Sequence, residues 1–391
     1  MSKISIYHPW IYLKGGAEKT ILELVKWSKH DWTIYTNRFE RENTFSEFTN
    51  FQVVELSKVS VKRDFINVIK SGLKIILQKK INFEGELLVI SSEGFGDFIN
   101  FKKSKNIPSL CFCHTPLKVL HDKDTKERFI KQNGGFKTLI KLRILGTFFM
   151  IANKLAWRKY NGILCNSNEV KKRVVNAGLA DLEQLEVANP GVDIEKYSEW
   201  KVEASEKHDY LLIPGRIMWT KDIEFGIEAY LNSNAQEKNI KLVIAGMVDE
   251  KSRNYLKTLQ KSVENIKMVE FVISPSEMEL LQLYKNCIGV LFTPPNEDWG
   301  IVPIEGMASG KPVISRNSGG PKESIKHNVT GYLTGVSNQS YVEAINKLLN
   351  LSLEEREYMG IEARKHAEKY SWRNFAKKID DKIDFLLKKV N

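Results

Sequence analysis

Two carboxylates, Glu297 and Glu305, stand eight positions apart in the stretch PPNEDWGIVPIEGMASGKPVISRNSGGPKESI, which runs from Pro294 to Ile325. Carboxylates accept hydrogen bonds from sugar hydroxyls, so two at this interval can grip two different sugars. Upstream, Arg216 follows Gly215, and Lys221 comes five residues later at the start of a helical stretch. Two cations beside a helix N-terminus suit a diphosphate. Gly15-Gly16 opens another helical stretch, where free N–H groups favour an anion and glycine permits close approach. His114 follows the apolar run SLCFC and is fixed by Pro116 two positions on. No Gly-x-Gly-x-x-Gly occurs, so the dinucleotide fingerprint is absent.

Each of these residues lies just after a short apolar run that reads as a strand. KISIYH, DWTIYTN, ELLVISS, SLCFCHT and GILCNS alternate with helical stretches. One is GAEKTILELVKWSKH, with Ile21, Leu24, Val25 and Trp27 on or near one face. The turn at Asn189-Pro190-Gly191 restarts the pattern with YLLIPGR, KLVIAGM and IGVLFTP, each followed by a helix, and then PVISR. Strand–helix alternation predicts parallel sheets covered by helices, here two doubly wound α/β domains facing a central cleft. Ligands of such sheets bind at the carboxyl ends of strands. Glu297 would then hang in the cleft, and Glu305 would lie about two turns inside the next helix. The N–H groups of Ile301 and Val302 would face a phosphate, and Gly310 would end the helix before Pro312. The polar stretch EWKVEASEKHD marks the domain boundary.

The bulk numbers agree with a folded chain of two domains: 391 residues, 42% hydrophobic and 27% charged. No run of about 18 apolar residues and no signal-peptide core is present. Cys111, Cys113, Cys165 and Cys287 lack zinc spacing and read as reduced core thiols, which points to the cytosol. The net charge of +11 calls for an anionic partner. Residues 58–80 hold seven Lys or Arg against one acid, and residues 121–160 hold ten against three, with aromatics interleaved. Both segments read as basic amphipathic helices for an anionic membrane surface. No nucleic-acid motif accompanies the charge.

These motifs, in this order, resemble the retaining glycosyltransferases of the GT-B fold known as family 4. The likeness rests on Gly15-Gly16-Ala17-Glu18, Asn189-Pro190-Gly191-Val192-Asp193, Gly215-Arg216 with Lys221, and Glu297 to Glu305. Gly310-Lys311-Pro312-Val313-Ile314 and Gly319-Gly320-Pro321-Lys322-Glu323 complete it. The resemblance implies an N-terminal acceptor domain over 1–195, a nucleotide-sugar domain over 196–371, and a helix over 372–391 returning to the first domain. It implies that Arg216 and Lys221 hold a donor diphosphate, Glu297 the donor sugar and Glu305 the ribose. His114 would lie by the reacting sugar, Gly16 by the distal phosphate, and Ile273 by the base. No cofactor or metal is implied, and Asp122-Lys123-Asp124 only imitates the metal motif of the other glycosyltransferase fold. Trp299 and Gly306 replace a commoner Phe and Ala. The subtype resembles enzymes that move mannose from GDP-mannose to lipid-linked glycans, at the cytoplasmic face of a membrane. A UDP-sugar donor, an epimerase or phosphorylase of the same fold, and a non-catalytic nucleotide-sugar module remain as alternatives. For a phosphorylase, no pyridoxal lysine is identified.

Overall fold

The computed structural model describes residues 1–61, 65–132, 134–198 and 209–390. Parts of the basic segments (62–64 and 133) and most of the polar boundary stretch (199–208) lie outside the described residues, as does the side chain of Asp124. The chain divides into two compact units, Met1–Pro190 with Trp372–Asn391, and Gly191–Ser371. The second unit begins at Gly191, earlier than the expected 196. Val192 pairs with Ser371, and its N–H donates to the Tyr370 carbonyl at 2.8 Å, which ties this segment to the second unit. A Cβ on Gly191 would lie 2.3 Å from the Ser371 backbone, so only glycine fits there.

In the first unit, seven parallel strands are described: β1 (Lys3–Tyr7), β2 (Asp31–Thr36), β3 (Gln52–Glu55), β4 (Leu87–Ser92), β5 (Ser109–Cys113), β6 (Gly162–Cys165) and β7 (Leu185–Val187). Their order is β3-β2-β1-β4-β5-β6-β7. Every residue of β4 and β5 is buried, because helices cover both faces of a parallel sheet. Helix α1 (Gly16–Trp27) follows β1 and buries Ile21, Leu24 and Val25, while Trp27 stays partly exposed. The helices Phe65–Leu77 (α2) and Phe136–Trp157 (α3) also belong here. So does the last helix of the chain, Trp372–Val390, whose Asp380 accepts hydrogen bonds from the Ser28 hydroxyl and the Lys29 N–H just after α1.

The second unit repeats the plan. Its strands are β8 (Tyr210–Pro214), β9 (Lys241–Gly246), β10 (Val269–Ile273), β11 (Gly289–Phe292), β12 (Val313–Arg316) and β13 (Gly331–Thr334), in the order β10-β9-β8-β11-β12-β13. Both sheets are parallel throughout. All four cysteines are buried and none forms a disulfide. Among the described residues, no helix is long and apolar enough to cross a membrane.

Candidate functional site

The expected donor residues of the second unit gather at the carboxyl ends of β8 and β11. Gly215 follows β8 with a φ of +123°, and its carbonyl would sit 1.8 Å from any Cβ on Gly246, the last residue of β9. Two glycines thus let the ends of β8 and β9 close together, and Arg216 emerges from that junction. Arg216 makes no ion pair or side-chain hydrogen bond among the described residues. With Gly215, Lys221, Thr293, Pro294 and Val302 it lines an open pocket. Lys221 closes a short 3-10 turn before helix α4 (Ile223–Leu231), and the Thr293 hydroxyl donates to its carbonyl at 2.6 Å. Its Nζ meets the Glu297 carboxylate at 2.5 Å.

Glu297 sits on the loop after β11, and the shape of that loop explains the later Gly-Gly. A Cβ on Gly319 would lie 2.3 Å from the Glu297 carbonyl oxygen, and one on Gly320 would lie 2.4 Å from the Trp299 backbone. The Gly320 N–H donates to the Glu297 carbonyl at 2.9 Å. Gly319 and Gly320 are therefore the mould in which the Glu297 loop is cast. Helix α5 (Ile301–Ala308) starts at Gly300, whose φ is +88° and which supplies no side-chain cap. With no capping side chain, the first amides, including those of Ile301 and Val302, keep donors for another acceptor. Glu305 is the fifth residue of α5, little more than one turn in rather than two, because the helix begins before Pro303. The helix ends as expected at Gly310, φ +69°, with the Gly310 and Lys311 N–H groups bonded to the carbonyls of Met307 and Gly306. Gly306 itself packs between strands: a Cβ there would lie 3.0 Å from Val290 and 3.1 Å from Val313.

Glu305 has partners that the sequence reading missed. The Tyr284 hydroxyl donates to its Oε2 at 2.7 Å, and the Tyr197 hydroxyl bonds the same carboxylate. Burial, and then the charge of Glu305, push both phenols well above their ordinary pKa, so both remain donors. A carboxylate has about four acceptor positions, so two tyrosines leave room for a diol. Also missed was a buried pair, Arg316–Asp222, at 2.7 Å. Ile273 ends β10 and is 41% exposed.

In the first unit the expected residues are placed differently. His114 follows β5 and is buried, with Nε2 2.7 Å from the Ser91 hydroxyl. His8, after β1, lies edge-on to it at 6.2 Å and bonds the Ser91 carbonyl through Nδ1. Burial lowers the pKa of His114 to about 4, partly countered by the charge of Glu93, so the ring is neutral near pH 7. A neutral imidazole offers a hydrogen bond rather than a charge. Gly15 provides the start of α1 without a side-chain cap, but the buried Glu18 carboxylate folds back onto it, within 2.4 Å of where a Cβ would stand. That helix N-terminus therefore already faces one negative group. Asp122 accepts from the Thr125 N–H at 2.8 Å and so caps the short helix Lys123–Gln132. Burial raises its pKa, but the bonds from Thr125 outweigh this and hold it below the usual range. Among the described residues, no three His, Cys, Asp or Glu side chains group to hold a metal ion.

Comparison with known proteins places the chain near glycosyltransferases. The family described as Glycosyl transferases group 1 matches residues 195–366, which hold every candidate donor residue of the second unit. Alpha-1,3/1,6-mannosyltransferase ALG2 of Dictyostelium discoideum is 27% identical over 412 positions, covering 96% of each chain. An uncharacterized glycosyltransferase of Methanocaldococcus jannaschii is 36% identical over 43% of this chain and 42% of its own. Among solved structures, Anabaena Alr3699/HepE in complex with UDP and glucose superposes with a TM-score of 0.73 at 17% identity, covering 98% of this chain and all of that one. WaaG, a glycosyltransferase of lipopolysaccharide biosynthesis, gives 0.67 at 17% identity over 97% and 99%. The chain has the GT-B fold, and its residues 195–366 match the family of group 1 glycosyltransferases.

Proposed function

We propose that this glycosyltransferase moves mannose from GDP-mannose to a lipid-linked glycan, with retention at the anomeric carbon and without a metal. The observation that carries the donor half is the meeting of Arg216, Lys221, Glu297 and the uncapped start of α5 around one set of strand ends. Arg216 and Lys221 would take the diphosphate and neutralise the leaving group, which is the task a metal performs elsewhere. Glu297, held beside Lys221, would take the sugar hydroxyls. Glu305, oriented by Tyr284 and Tyr197, would take the ribose. His114, being neutral, would donate or accept at the reacting sugar without adding charge. Mannose as the sugar follows from the full-length likeness to the ALG2 mannosyltransferase, and the UDP complex of the Anabaena neighbour keeps a UDP-sugar as the alternative.

The lipid-linked acceptor draws support from the first unit. Helix α3 buries Leu142, Phe149, Asn153, Ala156 and Trp157, yet its opposite side is apolar too. Ile140, Ile144, Phe148, Ile151 and Leu155 recur there at helical spacing and all are exposed, Phe148 at 69%. An ordinary surface helix is polar on its outer side. Lys137, Lys141, Arg143 and Lys154 lie on the same helix. On α2, the exposed Leu73 and Leu77 stand with Lys70 and Lys74. The basic segments are thus less amphipathic than expected on α3, where the apolar residues face outward. Anionic lipid is the partner that this mixture suits, at the cytoplasmic face of a membrane.

One experiment tests the donor assignment. Thermal unfolding is followed with GDP, UDP, GDP-mannose and UDP-glucose, each with and without EDTA. GDP and GDP-mannose should raise Tm in either condition, by mass action on the folded state. A shift by UDP compounds alone transfers the assignment to a UDP-sugar, and a shift abolished by EDTA and restored by manganese overturns the metal-free reading.

A further inference from the structure

Lys221 is held by its neighbours as well as by Glu297. The next residue, Asp222, occupies the N-cap position of α4, where an Asp ordinarily bonds the helix N–H groups. Here it makes no such bond. Its backbone is left-handed, φ 52° and ψ 45°, a conformation that costs free energy in any residue with a Cβ. Its carboxylate points instead to Arg316, whose Nη2 donates at 2.7 Å. Arg316 is the last residue of β12, only 5% exposed, and its guanidinium lies 3.6 Å from the centroid of the Phe225 ring on α4. One buried side chain thus joins the end of β12 to the first turn of α4, at the residue that follows Lys221.

A buried ion pair is weak evidence for stability, because desolvation of two charges offsets their attraction. Its better-attested service is to fix geometry, and a left-handed Asp persists only when its surroundings over-determine it. We infer that Arg316 is a positioning residue for the donor reaction. Through Asp222 it sets the backbone from which Lys221 reaches Glu297 and the diphosphate. The planar guanidinium matters: its Nη2 bonds Asp222 while its face covers Phe225, which a lysine ammonium cannot reproduce. This inference rests on the proposed role of Lys221.

A double-mutant cycle on the full-length protein tests it. GDP affinity is measured by calorimetry for the wild type, Lys221→Ala, Arg316→Gln and the double variant, with Tm recorded for each. Lys221→Ala should weaken GDP by about tenfold or more, as loss of a charge-assisted contact does. Arg316→Gln should weaken it by about threefold to tenfold. The double variant should bind within about twofold of Lys221→Ala alone, because the second change acts through a side chain already removed. Effects that multiply, or an Arg316→Gln protein with unchanged GDP affinity, would overturn the inference. If Arg316→Gln does not fold, Arg316→Lys takes its place in the cycle, with a smaller loss and the same non-additivity expected. An unchanged affinity in Lys221→Ala would sink the donor reading itself and this inference with it. Loss in Lys221→Ala with none in either Arg316 variant would sink the inference alone.

Discussion

The two units share a topology and differ in what they place at their strand ends. In the second unit those ends carry charge in pairs, Lys221 with Glu297 and Arg316 with Asp222, and in the helix that follows β11 two tyrosines bond Glu305. In the first unit the corresponding residues, His8 and His114, are buried, tied to Ser91, and His114 is kept neutral by desolvation. The first unit carries exposed apolar residues with its basic ones on α2 and α3. Parallel α/β sheets of similar plan thus serve two chemistries, because the sheet decides only where side chains emerge. A charged, paired cluster suits a nucleotide diphosphate. Neutral strand ends in a unit whose helix α3 is apolar and basic on its exposed side suit an acceptor carried on lipid.

The largest effect expected from this contrast lies in the second unit. Arg216→Ala removes a cationic contact worth about 1.5–3 kcal/mol, so transfer should fall roughly ten- to a hundredfold. Arg216 is half-buried and makes no ion pair among the described residues, so the variant should keep its Tm within a degree or two. Initial rates and unfolding curves measured together check both halves. A folded variant with unchanged rate and nucleotide affinity would remove Arg216 from the site and dissolve the contrast.

A smaller effect should appear only in the first unit. Ile144→Ser and Phe148→Ser together reduce the exposed apolar side of α3 without changing charge. Vesicle flotation with anionic lipid should then weaken by about tenfold, each buried apolar side chain contributing on the order of 1 kcal/mol at an interface. Replacing Lys137, Lys141, Arg143 and Lys154 by Gln should cost more at low salt, up to about 1 kcal/mol per charge, and little at high salt. Binding that ignores both sets would mean that α3 meets something other than lipid, such as a second copy of the chain.

Much of this was legible in the sequence, and the gaps have physical causes. The interior strands were found because burial on both faces makes them continuous apolar runs, as in LLVISS and SLCFC. β3, β7 and β13 were missed, and β10 was recognised only through Ile273. All four are edge strands. QVVE and LEV are short and partly exposed, so they lack that pattern. Arg216, Lys221, Glu297 and Glu305 stood out because charge after an apolar run is conspicuous. Asp222 and Arg316 did not: their significance lies in a contact across 94 positions, which no local spacing announces. Gly319 and Gly320 were visible as a signal, but their purpose as a mould for the Glu297 loop needed coordinates.

The smallest effect concerns one hydroxyl group. Tyr284 is fully buried, lies in the last turn of the helix Glu277–Asn286, and donates a hydrogen bond to Glu305 at 2.7 Å. Tyr284→Phe keeps the ring that packs edge-on to Tyr197 at 5.7 Å and removes only the oxygen. The bond to a carboxylate is charge-assisted, but Tyr197 and solvent can supply part of what is lost, so about 1 kcal/mol should remain. That corresponds to roughly a fivefold rise in donor KM. kcat should hardly move, since the ribose is remote from the reacting carbon and contributes binding common to ground and transition states. Kinetics with GDP-mannose and with its 2′-deoxyribose analogue separate the causes. If Glu305 holds the ribose, Tyr284→Phe should weaken the natural donor more than the deoxy donor. Equal weakening of both would show that the tyrosine only packs the core, and that the carboxylate it orients faces no sugar.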